Sequence, residues 1–287
     1  MQPTRRDLDF RLAPDKAANW HLWGTHVTTF FNTLSLFFPV GERFFIHSVR
    51  HYRDRITDPE LQKAVTGFIG QEAMHGREHD EYNAHVAAAG LPIQDMEAQV
   101  SRLLENLKST VSPSFQLSAT VALEHLTAIL ADHLLHEPRA IEGSDPNYRD
   151  LWLWHALEET EHKAVAFDVY RELIGEKPSG YALRVGGFVV ANLIFWTLFS
   201  RYYVQNLRAQ NQHRNWRGWL RVLNFSFGTP GGLRRIVPDW LAYFRPGFHP
   251  WDHDNRDPLA RLDEIAQRYA AAIKGPPAFA HGAAVAA

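Results

Sequence analysis

The sequence predicts an all-α protein, built as a four-helix bundle with additional helices after it. Three observations support this fold class. Apolar residues recur at spacings of three and four along four successive stretches, which places them on one face of a helix. Each of these stripes also contains a glutamate. Three of the four stretches begin with a capping residue followed by proline: Asp58-Pro59, Ser112-Pro113 and Asp145-Pro146.

A single domain is expected to account for the whole chain, residues 1–287. With 287 residues, 45% of them apolar, the chain can bury a sizeable core. Its formal net charge of −2 gives no electrostatic reason to expect nucleic acid as a partner. Cysteine is absent, which excludes disulfides, thiol nucleophiles and thiolate metal sites. Any metal must therefore be bound through oxygen and nitrogen, which suits iron or manganese.

The bundle core is predicted to span about residues 25–175, after an arm, residues 1–24, that lies on it. The first helix begins near Thr25 or near Pro39, because proline is tolerated only in the first turn, and it ends near Arg55. Its apolar stripe is Phe38, Glu42, Phe45, Ile46 and Val49.

The second helix is predicted to run from the Asp58 cap to Gly90. Its stripe contains a Glu-x-x-His sequence and consists of Val65, Phe68, Glu72, His75, His79, Tyr82 and Val86. Three interior glycines predict either close backbone packing or a π-bulge beside these residues: Gly67, Gly70 and Gly76. The amphipathic segment 93–110 then forms the long crossover between two helix pairs.

The third and fourth helices begin at Ser112-Pro113 and Asp145-Pro146, and the fourth ends at Gly175. The stripe of the third helix is Leu117, Val121, Glu124, Ala128, Ala131 and Leu135. The fourth helix carries a second Glu-x-x-His on the stripe Trp152, His155, Glu159, His162, Ala166 and Val169. A carboxylate between two imidazoles is costly to bury unless a metal ion binds all three.

The order Glu, Glu-x-x-His, Glu, Glu-x-x-His on four helices is the ligand inventory of ferritin-like di-iron and di-manganese bundles. A lone Glu-x-x-His is usually surface charge, but here every member falls on an inward stripe, where unpaired burial costs on the order of several kcal/mol. We therefore predict a ferritin-like bundle holding two iron ions, with manganese as the alternative. The bridging pair is either Glu72 and Glu159 or Glu42 and Glu124. The six core ligands are Glu42, Glu72, His75, Glu124, Glu159 and His162.

Two further histidines lie one helical turn from the core ligands. His155 precedes Glu159 by four residues, and we expect it to be a third imidazole ligand, although a structural core histidine is the alternative. His79 follows His75 by four residues, and antiparallel helices would bring it to the same end of the site as His155. We expect His79 to be a pocket or supporting residue, with direct metal ligation as the alternative. Three aromatic residues are expected to form an apolar pocket there: Phe45, Phe68 and Trp152.

Other polar residues near these motifs are expected to play no direct part. Four of them point off the stripes and are interpreted as supporting or surface groups: Glu78, His125, Glu158 and Glu161. The segment from His249 to His253 is interpreted as a packed turn rather than a second metal site. No catalytic residue beyond the metal ligands is predicted.

A helical extension is predicted over about residues 180–275, followed by a disordered tail, 276–287. The uncharged run Val185–Ser200 is shorter than the roughly 18–20 residues that span a bilayer, so we expect a buried fifth helix. Contact with a membrane surface or lining of an apolar channel are its alternatives. The basic stretch His213–Arg221 is expected at the solvated surface or against anionic lipid headgroups. Because no apolar region follows Arg5-Arg6, we expect a cytoplasmic protein, with membrane association as the alternative.

The chain resembles the bacterial family described as predicted metal-dependent hydrolases. The resemblance covers most of the chain and rests on Phe38-Pro39-x-Gly41-Glu42, Glu72-x-x-His75, Glu124-His125 and the stretch from Trp154-His155 to His162-Lys163. The ligand pattern is also similar to that of di-iron arylamine N-oxygenases, whose fourth helix carries His-x-x-x-Glu-x-x-His. Here His155, Glu159 and His162 match that motif, and Glu42, Glu72, His75 and Glu124 match the remaining ligands.

The sequence favours an enzyme that activates O2 at two iron ions to hydroxylate or N-oxygenate a small or lipid-like substrate. Its partners would be that substrate, O2 and an electron donor, with a membrane surface and a second copy of the chain as further candidates. The first alternative is a metal-dependent hydrolase that uses a hydroxide shared by the two metals. The second alternative is a ferritin-like protein that binds or oxidises iron.

Overall fold

A computed structural model describes residues 1–175 and 177–270, and it confirms the all-α prediction. This part of the chain contains no β-strand, only an isolated bridge between Leu8 and Ala270. The α-helices are α1 Thr25–Ser35, α2 Phe38–Arg50, α3 Pro59–Ala88, α4 Ile93–Thr110, α5 Pro113–His136, α6 Pro146–His162, α7 Val165–Leu173, α8 Pro178–Ala209, α9 Trp216–Phe227, α10 Gly232–Arg235, α11 Val237–Ala242 and α12 Arg261–Tyr269. The tail predicted over 276–287 lies outside the described residues.

The four helices with the predicted ligands form a closed ring of contacts. Helix α2 packs on α3, α3 on α6, α6 on α5, and α5 on α2. Helices α3 and α6 run antiparallel, because Gln71 contacts His162 near one end and His79 contacts His155 further along. This ring is compatible with the predicted four-helix bundle. Helix α4 forms the crossover and contacts α2, α3 and α5.

The predicted helix starts agree with the observed caps. Asp58 accepts a hydrogen bond from the Glu60 amide, Ser112 from the Phe115 amide, and Asp145 from the amides of Asn147 and Tyr148. In each helix the following proline occupies the first helical position, where its missing N–H leaves no intrahelical hydrogen bond unmade.

Two predicted helices are interrupted. The first helix was predicted to begin near either Thr25 or Pro39. The chain instead forms two separate helices, α1 and α2, on either side of Leu36 and Phe37, because Pro39 fits only in the first turn of α2. The fourth helix was predicted to continue to Gly175, which is wrong, since α6 ends at His162 and α7 follows. At this break the buried Lys163 donates hydrogen bonds to the His253 carbonyl and Asn255 Oδ1.

Close backbone approach explains the glycines of α3, which is a continuous α-helix without a π-bulge. A Cβ atom at Gly67 would collide with the carbonyl oxygen of Pro3, so this glycine lets the N-terminal arm lie on α3. A Cβ atom at Gly76 would lie 3.2 Å from Glu42 Oε2. Gly76 thus leaves room for the Glu42 carboxylate beside α3.

Helix α8 is buried on one face only. The prediction of a buried fifth helix therefore holds for that face and is wrong for the opposite face, which is exposed. Phe188, Ala191, Phe199 and Tyr202 are buried on the face that packs against α1 and α5. Leu193, on the other face, is 68% exposed. By length and composition alone α8 could cross a membrane, although 33% of its most apolar window is buried within the protein.

Candidate metal centre

The seven predicted ligands meet inside the ring formed by α2, α3, α5 and α6. Their oxygen and nitrogen atoms form three overlapping groups, and within each group the atoms lie within 4.8 Å of one another. These groups are Glu42, His75 and His155; Glu72, His75 and Glu159; and Glu72, Glu124 and His162. The shared members, Glu72 and His75, make the three groups one continuous cluster.

The cluster is buried and incompletely hydrogen-bonded. None of the seven residues is more than 3% exposed. Both carboxylate oxygens of Glu42, Glu72 and Glu124 lack a hydrogen-bond partner, and so do His75 Nδ1 and His162 Nε2. Buried polar atoms without partners are rare because each carries a desolvation penalty. Divalent cations would satisfy these donor atoms, so the residues present fit a metal cofactor bound by oxygen and nitrogen.

The electrostatics of the cluster also favour cations. Burial raises the pKa of Glu42 well above its usual range, and the charges of Glu72 and Glu159 add to the effect. Burial and the charge of Glu72 raise the pKa of Glu124 in the same way. Burial lowers the pKa of His75 well below its usual range. Metal ions would replace the protons that these carboxylates otherwise retain and would bind neutral imidazole.

Glu158 determines which nitrogen of His75 faces the cluster. His75 Nε2 lies 3.1 Å from Glu158 Oε2, which leaves Nδ1 directed toward Glu159 Oε1 at 3.9 Å. Arg6, in the N-terminal arm, donates a hydrogen bond of 2.9 Å to Glu158 Oε1. Burial raises the pKa of Glu158 to about 8, against the opposing charge of Arg6. Of the two expected roles, supporting group or surface group, Glu158 has the buried position of a supporting group, and its partner in the cluster is His75.

His162 is oriented by Gln71 on α3, which precedes Glu72 just as Glu158 precedes Glu159 on α6. Its Nδ1 donates to Gln71 Oε1 at 2.9 Å, which leaves Nε2 close to three carboxylates. These are Glu72 at 3.1 Å, Glu124 at 3.6 Å and Glu159 at 3.6 Å. The amide nitrogen of Gln71 donates in turn to Glu161. Gln71 thus fixes the imidazole so that its free nitrogen points into the cluster.

His155 and His79 lie at the same end of the cluster, where antiparallel helices were expected to bring them. His155 Nε2 is 3.1 Å from Glu159 Oε1, and its Nδ1 is 2.9 Å from His79 Nε2. His79 Nδ1 is 2.8 Å from Ser35 Oγ, and Ser35 donates to Asn83 Oδ1. His155 belongs to one of the three ligand groups and His79 to none of them. His79 contacts His155 from the side away from Glu159.

An apolar cavity of about 200 Å³ reaches the cluster. Glu42, His155 and Glu159 contribute to its wall, and Phe45 and Trp152 line it as predicted for pocket residues. Phe68 lies elsewhere: it is fully buried, and its ring centroid is 5.0 Å from that of His162. The remaining wall consists mainly of leucine, phenylalanine and alanine side chains from α1, α2, α4, α5 and α8.

The other polar candidates have partners outside the cluster. His125 Nε2 lies 3.0 Å from the carbonyl oxygen of Asp239, and Glu78 is paired with Arg77. His249 Nε2 lies 3.1 Å from Asp168, and His253 Nε2 lies 3.5 Å from Asp132. None of these four residues belongs to a ligand group identified among the described residues.

Sequence analysis missed Gln71, Ser35 and Thr127, and it did not assign Glu158 a partner. Thr127 donates to Glu159 Oε2 and thereby holds that carboxylate. One pattern could have identified two of these residues, since Gln71 and Glu158 each immediately precede the glutamate of a Glu-x-x-His sequence. Ser35 and Thr127 have no comparable pattern, because their contacts depend on how separate helices pack.

Comparison with known proteins supports one of the two resemblances. The model of a family described as "Predicted metal-dependent hydrolase" matches residues 4–254, nearly the whole chain. No curated protein and no solved structure matches. The likeness to N-oxygenases remains a prediction from the ligand pattern.

Proposed function

Because the chain belongs to the family of predicted metal-dependent hydrolases, we propose that it hydrolyses an ester or amide with an apolar chain at a site of two metal ions. A metal cofactor is supported both by the family and by the three ligand groups. The observation that carries the proposal is the position of Glu42, His155 and Glu159 in the wall of an apolar cavity. A metal site next to such a cavity would be suited to a reaction on a largely hydrocarbon substrate.

The ligand groups indicate which residues would hold each ion. Glu42, His75 and His155 would hold one ion, and Glu72, Glu124 and His162 would hold the other, with Glu159 within reach of both. Two bound divalent ions would supply a water of lowered pKa and polarise a carbonyl oxygen. The donor atoms suit iron, which we propose as the resident metal, with manganese as the alternative.

The residues of this chain would contribute orientation and exclusion of water. The ring of Phe38 lies 4.4 Å from that of His155, and both residues line the cavity, so an apolar chain would contact Phe38 next to the ligands. The hydrogen bond between His79 and His155 Nδ1 leaves His155 Nε2 on the cluster side. A hydrocarbon chain would be desolvated in this cavity, while its polar group would meet the donor atoms.

The proposal can be tested with purified protein stripped by a chelator and reloaded with Fe²⁺ or Mn²⁺ under nitrogen. A series of p-nitrophenyl esters of increasing acyl length is then assayed, with Glu124→Ala as the metal-deficient control. We expect nitrophenol release that requires metal, continues without O2 and favours the longer acyl chains. Metal-loaded protein that cleaves none of these esters, nor the corresponding amides, would contradict hydrolysis.

The second candidate is the oxygen-dependent oxidation that the sequence favoured. The observation in its favour is His155, which adds a third imidazole to a carboxylate-rich cluster next to an apolar cavity. It also requires an external electron donor. Iron-loaded, reduced protein would then consume O2 faster when an apolar substrate is present, and mass spectrometry would show the substrate gaining oxygen. Manganese-loaded protein that hydrolyses esters anaerobically would exclude this candidate as the sole activity.

A further inference from the structure

Helix α9 exposes an apolar stripe to solvent. Trp216, Leu220, Leu223 and Phe227 are spaced by four, three and four residues and are between 51% and 63% exposed. On the opposite face, Phe225 is buried against α1 and the N-terminal arm. An ordinary surface helix is apolar on one face only, so the second apolar face of α9 needs a partner.

Helices α8 and α11 carry further exposed apolar residues. Helix α8 exposes Val189 and Leu193, and α11 exposes Val237 and Leu241. Helix α8 contacts α9 through the rings of Tyr203 and Trp219, whose centroids are 5.8 Å apart. It contacts α11 through Asn192 Oδ1, which accepts a 3.0 Å hydrogen bond from Trp240. Nine of the eleven large exposed hydrophobic residues in the described part of the chain lie on these three helices.

The same segment is strongly basic. Residues 178–242, from the start of α8 to the end of α11, contain eight arginines and one acidic residue, Asp239, although the whole chain has a net charge of −2. Of these arginines, Arg184 is fully buried and Arg235 is paired with Glu137. Arg217 and Arg221 are exposed, and each directly follows a member of the α9 stripe. Apolar side chains beside arginines, with an exposed tryptophan, are typical of helices that lie in the headgroup region of a membrane.

We propose that α8, α9 and α11 form a docking surface for a lipid bilayer with anionic headgroups. The bilayer would cover the apolar side chains, and its headgroups would pair with the exposed Arg217 and Arg221. A second copy of the chain fits less well, because a two-fold interface would place the arginines of one copy against those of the other. The buried face of α8, which contacts α1 and α5, favours a helix lying on the bundle rather than one crossing the bilayer.

The docking surface is continuous with the cavity that reaches the metal centre. Val190, which is 40% exposed, is also part of the cavity wall. Ile194 of α8 and Leu233 of α10 also line the cavity. A lipid-derived chain could therefore pass from the bilayer into the cavity along an apolar route. Docking itself does not depend on the proposed hydrolysis, since it involves no metal ligand.

Co-sedimentation of the full-length protein with vesicles tests the proposal. We expect binding to vesicles of phosphatidylcholine mixed with phosphatidylglycerol, and much weaker binding to phosphatidylcholine alone. Leu220→Asp with Leu223→Asp should abolish binding. Arg217→Gln with Arg221→Gln should weaken it by about 25-fold, roughly fivefold for each arginine near an anionic surface. The control Arg50→Gln with Arg55→Gln removes two exposed arginines outside the docking surface and should bind as the unmodified protein does.

Thermal melting should show that all variants fold, because the substituted residues are exposed. Binding that persists in the folded Leu220→Asp, Leu223→Asp variant would overturn the proposal, as would failure of the unmodified protein to bind mixed vesicles. Sedimentation velocity separates the rival partner. A dimer that the aspartate substitutions convert to monomer, without any vesicle binding, would assign this surface to a second copy. Because vesicle binding needs neither metal nor turnover, it can fail while hydrolysis is observed, and the reverse also holds.

Discussion

Gln71 on α3 accepts a hydrogen bond from His162 on α6, with 2.9 Å between Gln71 Oε1 and His162 Nδ1. The reciprocal contact joins Glu158 on α6 to His75 on α3. Each Glu-x-x-His helix therefore orients the histidine of the other through the residue before its own glutamate. Because a metal ligand needs its second ring nitrogen fixed, these two contacts decide which imidazole nitrogens are available to the cluster.

Glu158→Ala should weaken metal binding by about 10–100-fold, since His75 loses the partner that holds its ring. Competition with a chromogenic chelator would measure the change. Glu78→Ala is the matched control, because Glu78 is also a buried carboxylate on a ligand helix, and it pairs with Arg77 on that helix. The same loss of affinity in both variants would show that Glu158 acts through general stability.

Glu124→Ala should lose metal and activity, because both oxygens of Glu124 lack other hydrogen-bond partners and face the cluster. Glu161→Ala should retain two metal ions per chain, since Glu161 belongs to none of the three ligand groups and is linked to them indirectly, through Gln71 and Arg6. Elemental analysis after growth in iron-supplemented medium would count the ions. One ion or none in the folded unmodified protein would refute the two-metal site.

His155→Ala distinguishes a ligand from a structural core residue. If His155 binds metal, the variant should retain both ions through the six other residues, while its Mössbauer parameters change and turnover falls far more than stability. If it does not, the cavity and the unpaired His79 should cost roughly 1–3 kcal/mol of unfolding free energy. Unaltered iron parameters together with a lowered melting temperature would remove His155 from the ligand set.

Ala131→Phe should restrict hydrolysis to esters with shorter acyl chains. Ala131 is buried on α5 and lines the apolar cavity, so a phenyl ring there would occupy space needed by a long acyl chain. We expect kcat/KM for the longest ester to fall by roughly tenfold or more, with little change for the shortest. Ala84→Phe, on the exposed face of α3, is the control. Equal losses for long and short esters would contradict the assignment of the cavity to substrate.

The folded His21→Gln variant should lose less stability in acid than the unmodified protein does. Burial lowers the pKa of His21 from 6.5 to about 3, so the folded protein holds it neutral while the unfolded chain protonates it below pH 6.5. Its contribution to stability is complete above pH 6.5 and is lost as the pH falls toward 3. Urea unfolding at several pH values gives the unfolding free energy as a function of pH. The slope of this dependence should be smaller in the variant by up to about 1.4 kcal/mol per pH unit. Parallel slopes would show that His21 is not neutral in the folded state.

The sequence by itself determined the all-α class, the starts of three helices and the residues of the candidate cluster. These features are local: a cap such as Asp58 acts on the next turn, and a stripe follows from the period of one helix. Even the adjacency of His79 and His155 followed from the antiparallel direction of two helices.

Only the tertiary structure decided how those residues are supported and what surrounds them. Which nitrogen of His75 faces the cluster depends on Glu158 from another helix, and the position of Glu158 depends in turn on Arg6 from the N-terminal arm. The apolar cavity arises because several helices leave a space between them, and one face of α8 is exposed because no other helix within residues 1–175 and 177–270 covers it. Such features depend on contacts between residues far apart in the chain, and the periodicity of a single helix carries no information about them.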